Sequence, residues 1–188
     1  MGTVYNELDQ SLTDFIRAQH MFFVATAPLD GSGHVNLSPK GLDSFRILDP
    51  KTFAYVDFTG SGVETISHIR ENGRIVVMFC AFDGSPKILR LYGRGEVVEP
   101  TASKFAHLAN AFPDFEGVRA IIVVTLERIA DSCGYAVPRY RYQGERSQLP
   151  AWTKKQGSDG LVQYRARHNR TSIDGLPGLD DIGDRRRA

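Results

Sequence analysis

Asn36, Ser38 and Lys40 lie on one face of a short alternating stretch, His34-Val35-Asn36-Leu37-Ser38-Pro39-Lys40-Gly41, whose other face is apolar. A strict period of two predicts a half-buried strand. Its polar face carries an amide, a hydroxyl and a lysine beside a glycine, where solubility alone would favour long charged side chains. Compact donors and acceptors in a row suit a flat polar ligand. A second candidate is Gly60-Ser61-Gly62, just ahead of a helical pattern. Backbone N–H groups at a helix N-terminus form a ready anion site. Ser61 and Glu64 also match a capping box, so a purely structural role for Ser61 stays open.

Other chemistries find little support. The five histidines, His20, His34, His68, His107 and His168, show no metal-ligand spacing, and no cysteine pair joins them, so no metal is expected. Cys80 sits in an apolar run and reads as a buried thiol. There is no Gly-x-Ser-x-Gly elbow. Gly93-Arg94-Gly95 lacks the third glycine of a dinucleotide turn. The alternation of Arg139 and Arg141 with Tyr140 and Tyr142 could stack on bases, but a net charge of +1 argues against nucleic acid. Arg185 to Arg187 reads as a solvated end.

The elements that must position these residues follow from pattern. The 188 residues, 41% hydrophobic and 24% charged, suit one domain with a full core. The longest apolar run is about eight residues, far short of a membrane span of ~20. No basic-then-apolar leader is visible, and a cytoplasmic location is the expectation. Val4 to His20 reads as a helix and Met21 to Ala27 as a strand. Asp30-Gly31-Ser32-Gly33 turns the chain into the His34–Lys40 strand, which predicts a hairpin. Strands are also predicted over 52–58, 75–82, 87–98 and 120–129, with helices over 60–73 and 101–112. Gly93 and Gly95 suggest a bulge. Six strands with few helices predict a mainly β, antiparallel barrel. Beyond Tyr142 the composition shifts. Residues 1–142 read as the barrel domain and 143–188 as an extended C-terminal arm that docks on the barrel or on a partner subunit.

The order of these features, with Tyr55-Val56-Asp57 between the two candidate motifs and Gly93-Arg94-Gly95-Glu96 after them, resembles the pyridoxamine 5′-phosphate oxidase-like family of FMN-binding split β-barrels, over about residues 8 to 137. The stretch from Ser132 to Pro138 resembles a less-characterised branch of it. The resemblance implies a six-stranded antiparallel split barrel and a homodimer with FMN in clefts between the subunits. It also implies a flavin-dependent oxidoreductase of undefined substrate, or else a non-catalytic flavin, haem or deazaflavin binder. The cofactor-binding residues it implies are Asn36, Leu37, Ser38, Lys40, Asp57, Gly60, Ser61, Gly62, Thr65 and Arg139. Two departures are visible. No Arg or Lys lies between Val56 and His68, where family oxidases carry a Ser-Arg-Lys run, so phosphate charge must be met by Lys40, by backbone N–H groups, or by an arginine such as Arg90, Arg139 or Arg141. The ending from Asn169 to Gly178 differs from that of the vitamin-oxidising members.

Overall fold

A computed structural model describes residues 2–180, so the Arg185–Arg187 run lies outside the described residues. Twelve elements follow in order: β1 (Val4–Tyr5), α1 (Gln10–Arg17), β2 (Phe22–Thr26), β3 (Asn36–Lys40), β4 (Phe45–Asp49), β5 (Thr52–Phe58), α2 (Glu64–Asn72), β6 (Arg74–Cys80), β7 (Ile88–Val98), α3 (Phe105–Ala109), β8 (Val118–Ser132) and α4 (Gln148–His168).

The eight strands form one antiparallel sheet in the order β3-β2-β6-β7-β8-β5-β4, with β1 added to β8. This corrects the expected six-stranded closed barrel. β1 and β4 are additional, and no ladder joins β3 to β4, so the path is open. It is nevertheless strongly curled. Phe22 of β2 meets Phe53 of β5 at 5.9 Å and Tyr55 at 5.5 Å, although three strands separate β2 from β5 along the sheet. Phe45 and Phe79 complete this interlocked aromatic cluster, mostly in the edge-to-face contacts that aromatic quadrupoles prefer. Leu12 and Ile16 of α1 and Ile66 and Ile69 of α2 pack into the same core. A second apolar cluster, Ala54, Val56, Val98 and Ile121, lies under α3. β5 is thus buried on both faces.

Local chemistry sets the boundaries. β2 and β3 form the expected hairpin, with Thr26 opposite Asn36 and Phe22 opposite Lys40. Asp30 accepts from Ser32 N at 2.8 Å and holds the turn. The first helix is shorter than its sequence pattern, because Asp9 caps it by accepting from Leu12 N at 2.8 Å and Val4–Tyr5 pair with β8 instead. α2 begins at Glu64, not at Gly60. Its N-cap is Val63 and no side chain caps it, so Ser61 is not the predicted cap. Gly73 ends it at φ 72°, in the left-handed region that glycine enters without a Cβ clash. The expected bulge appears as a register shift between Tyr92 and Gly93 in the β7–β8 ladder. Where an extended arm was predicted, Gln148–His168 is helical with a kink at Gly157, which has φ 63° and ψ 177°. No helix among the described residues is long and apolar enough to cross a membrane.

The aromatic cluster makes Phe22 the side chain with most to lose. It has no exposure and four aromatic neighbours. Phe22→Ala is expected to destabilise the protein by about 3–5 kcal/mol. Urea denaturation checks this, and a loss under about 1 kcal/mol would mean that the cluster is not the core of the curl.

Candidate functional site

The polar face of β3 looks toward β5 and the start of α2. Asn36 Nδ2 donates to Thr65 Oγ1 at 2.9 Å and, less closely, to Thr26 Oγ1 at 3.4 Å. Ser38 Oγ donates to Asn36 Oδ1 at 3.0 Å. Thr26 Oγ1 lies 3.0 Å from His68 Nδ1. His68 Nε2 is buried and has no hydrogen-bond partner among the described residues. Burial pushes the His68 pKa down, in keeping with a neutral ring. From Ser38 through Asn36 to Thr65 the network runs in one direction. Ser38 spends its proton on Asn36 and has lone pairs left over. Thr65 accepts from Asn36 and has its proton left to donate.

Beside this network stands an ion-pair triad. Asp57 of β5 is fully buried. Its Oδ1 accepts from Lys40 Nζ at 2.8 Å and its Oδ2 from Arg119 Nε at 2.7 Å. Desolvation alone would push the Asp57 pKa up. The charges of Arg119 and Lys40, with their hydrogen bonds, outweigh it and bring the value down to about 2. Arg119, at the start of β8, also reaches the carbonyl of Gly60 at 3.4 Å. Two cations share one carboxylate, so a positive charge is left over.

Six of the sequence-selected residues, Asn36, Ser38, Lys40, Gly60, Gly62 and Thr65, line one cavity of about 300 Å³ together with Pro39, Glu64 and Arg119. Asp57 stands behind it and fixes its two cations. The others lie elsewhere. Leu37 is 64% exposed on the opposite face of β3. Ser61 is exposed and outside the cavity wall, and Arg139 is exposed in the segment after β8. Glu64 folds its carboxylate back over Gly62 and accepts from Ile173 N at 3.3 Å. A carboxylate thus already sits at the start of α2, where the helix dipole favours negative charge.

The C-terminal segment reaches this region. Asn169 is fully buried and donates Nδ2 to the carbonyl of Gly60 at 2.8 Å. Asp174 Oδ1 lies 2.7 Å from His34 Nδ1 and Oδ2 accepts from His34 N at 2.8 Å. Arg70 donates to the carbonyl of Gly178. Gly60 is therefore held from two sides, by Arg119 and by Asn169. Sequence reasoning passed over Arg119, Asn169, Glu64 and the Thr26–His68 pair as site residues. A usable signal existed for Arg119. It is the lone charge in the largely apolar run from Val118 to Leu126, and Asp57 is the lone acid of β5.

The depressed pKa of Asp57 has a consequence for stability. Its folded value, about 2, lies below the ordinary 3.8 of the unfolded chain. Its ionised form therefore stabilises the fold above about pH 4, by about 2 kcal/mol, and that contribution is lost as pH falls toward 2. Asp57→Asn leaves the half-buried Lys40 and the buried Arg119 without their shared carboxylate, and breaking a buried pair typically destabilises by about 3–5 kcal/mol. Urea denaturation from pH 7 to 2 should show a lower plateau and a shallower acid fall for the variant. Equal acid falls in the two proteins would remove Asp57 as the titrating group.

The chain matches the family model for pyridoxamine 5′-phosphate oxidase over residues 8–133. It is 38% identical, over 198 residues, to the pyridoxamine 5′-phosphate oxidase family protein ustO of Aspergillus flavus, with 95% of this chain and 78% of that protein covered. Among solved structures, HupZ of Group A Streptococcus shares 29% identity at a TM-score of 0.51, covering 65% of this chain and 91% of that one. The antiparallel sheet, the β3 motif and the match across two thirds of its length agree: the chain belongs to the pyridoxamine 5′-phosphate oxidase family, on one of its less-characterised branches.

Proposed function

We propose that this protein binds FMN along β3, as a homodimer whose second subunit completes the cleft, and that it serves as a flavin-dependent oxidoreductase. The observation that carries this reading is the directed network from Ser38 through Asn36 to Thr65 beside the two cations Lys40 and Arg119. Ser38 presents an acceptor and Thr65 a donor. The pyrimidine edge of a flavin offers the complementary pair, an N–H between carbonyl oxygens. Lys40 and Arg119 supply cations for the phosphate. Glu64 already occupies the helix start, so the phosphate falls to these side chains rather than to the backbone of Gly60–Gly62. When bound, the flavin supplies the electron-transfer chemistry. The residues of this chain bind it, orient it and fix the charge around it.

Two features support a second subunit. A cavity of about 300 Å³ is at the lower limit for a cofactor site, typically 300–1,000 Å³, so much of the ligand would need another wall. β3 is also a terminal strand of the sheet, and Val35 and Leu37 are 72% and 64% exposed on and beside it. An uncovered apolar sheet edge is an association surface.

Lys40→Gln is expected to weaken FMN binding about 10-fold or more, as for loss of a charge-assisted hydrogen bond, while Ser61→Ala leaves it unchanged. Equilibrium titration followed by flavin fluorescence checks both. Sedimentation of the loaded protein should show a dimer that releases flavin as it dissociates on dilution. Unchanged affinity in Lys40→Gln would remove the phosphate assignment, and a flavin-loaded monomer would remove the shared cleft.

A further inference from the structure

A second, larger cavity of about 780 Å³ lies beyond the end of β3, and Pro39 and Lys40 form part of the wall of both. The geometry points to a distinct binding site here for a small aromatic carboxylate. This site does not depend on flavin occupying the first cavity.

The cavity has a built wall. The segment after β8 has no regular structure, yet it is pinned twice. Tyr140 N donates to the carbonyl of Phe82 at 3.0 Å and its ring packs on Phe82 at 5.5 Å. Tyr142 stacks on His20 with centroids 3.6 Å apart and planes 7° from parallel, and its hydroxyl donates to Glu145 at 2.9 Å. Leu42 lines this cavity and Asp43 a neighbouring one of about 510 Å³, and they are consecutive non-glycine residues in the left-handed region, at φ 69° and 50°. That conformation is disfavoured for both side chains, and for leucine it is an outlier. Arg46 holds it by gripping Asp43 at 2.8 and 3.1 Å. Strained backbone held by side chains beside a cavity is typical of ligand sites.

The lining names the ligand class. Flat ring faces of His20, Tyr140 and Tyr142 suit an aromatic ring. Arg141 and Arg146 line the cavity without a hydrogen bond or ion pair among the described residues. Of the carboxylates of the lining, Glu145 accepts from Tyr142 at 2.9 Å and Asp83 from Gly84 N at 2.8 Å, each through one oxygen. A guanidinium fork recognises a carboxylate by two parallel hydrogen bonds. His20 and Tyr142 also border a neighbouring cavity of about 510 Å³, so the stacked pair is a partition with room on either side.

The test is binding of benzoate to the full chain, with and without saturating FMN, read by ligand-observed NMR. Benzylamine keeps the ring and inverts the charge, and acetate keeps the charge without the ring. Benzoate is expected to bind at least 10-fold more tightly than either, with or without FMN. Arg141→Gln and Tyr142→Ala, both on exposed side chains, should each weaken benzoate about five-fold or more and leave FMN affinity unchanged. No benzoate binding, equal binding of benzoate and benzylamine, or benzoate binding indifferent to both substitutions would overturn the proposal. FMN affinity is read in the same samples, so a failure of the flavin reading leaves the benzoate result standing on its own.

Discussion

The buried carboxylate of Asp57 is the constraint on which the rest of the site depends. It lies at the end of β5 and binds one cation from β3 and one from β8, which are not neighbours in the sheet. A carboxylate without exposure would be strongly disfavoured alone. With Lys40 and Arg119 in place it stays ionised, and each cation is in turn fixed by it. The triad thus serves as a rivet. It fixes the distance between the β3 hairpin and the β5–β8 ladder across the curled sheet, and the first cavity lies in that gap.

Arg119 extends the same constraint outward. Its contact with the carbonyl of Gly60 is joined by that of Asn169, so the loop between β5 and α2 is tied both to the sheet and to the C-terminal segment. Asn169, Asp174 and Gly178 each meet a residue of the region from His34 to Arg70. The chain end thereby contributes to the geometry of a site built more than a hundred residues earlier. Loops that hold a ligand are commonly low in intrinsic stability, and here the tie comes from a distant part of the sequence.

Much of this was legible before any coordinates. The alternation of β3, the turn at Asp30–Gly33, the apolar β6 and the bulge at Gly93 all follow from short-range rules, and the structure has them. The errors share a physical cause. β1 and β4 are strands only because β8 and β5 offer them free edges, which a local pattern does not reveal. The capping box at Ser61 failed because Glu64 finds another partner, Ile173 N, over a hundred residues away. Arg119 and Asn169 act through contacts of the same long range. Side chains that bind their neighbours were readable; those that bind across the fold were not.

The position of Glu64 also bears on why this chain lacks, at the start of α2, the basic run of the family resemblance. An anion at a helix start can be met by the backbone dipole, by side-chain cations, or by both. Here the chain's own carboxylate uses the dipole, and it is held there by a backbone N–H of the C-terminal segment. A further anion close by would be repelled by Glu64 and attracted by Lys40 and Arg119. These cations emerge from strands on the far wall of the cavity, not from the helix. Moving the positive charge from helix to strands shifts the place where a ligand phosphate is most stable, toward the end of β3. It also couples that place to the Asp57 triad, so that in the proposed reading the groups that would hold the ligand are the ones holding the sheet.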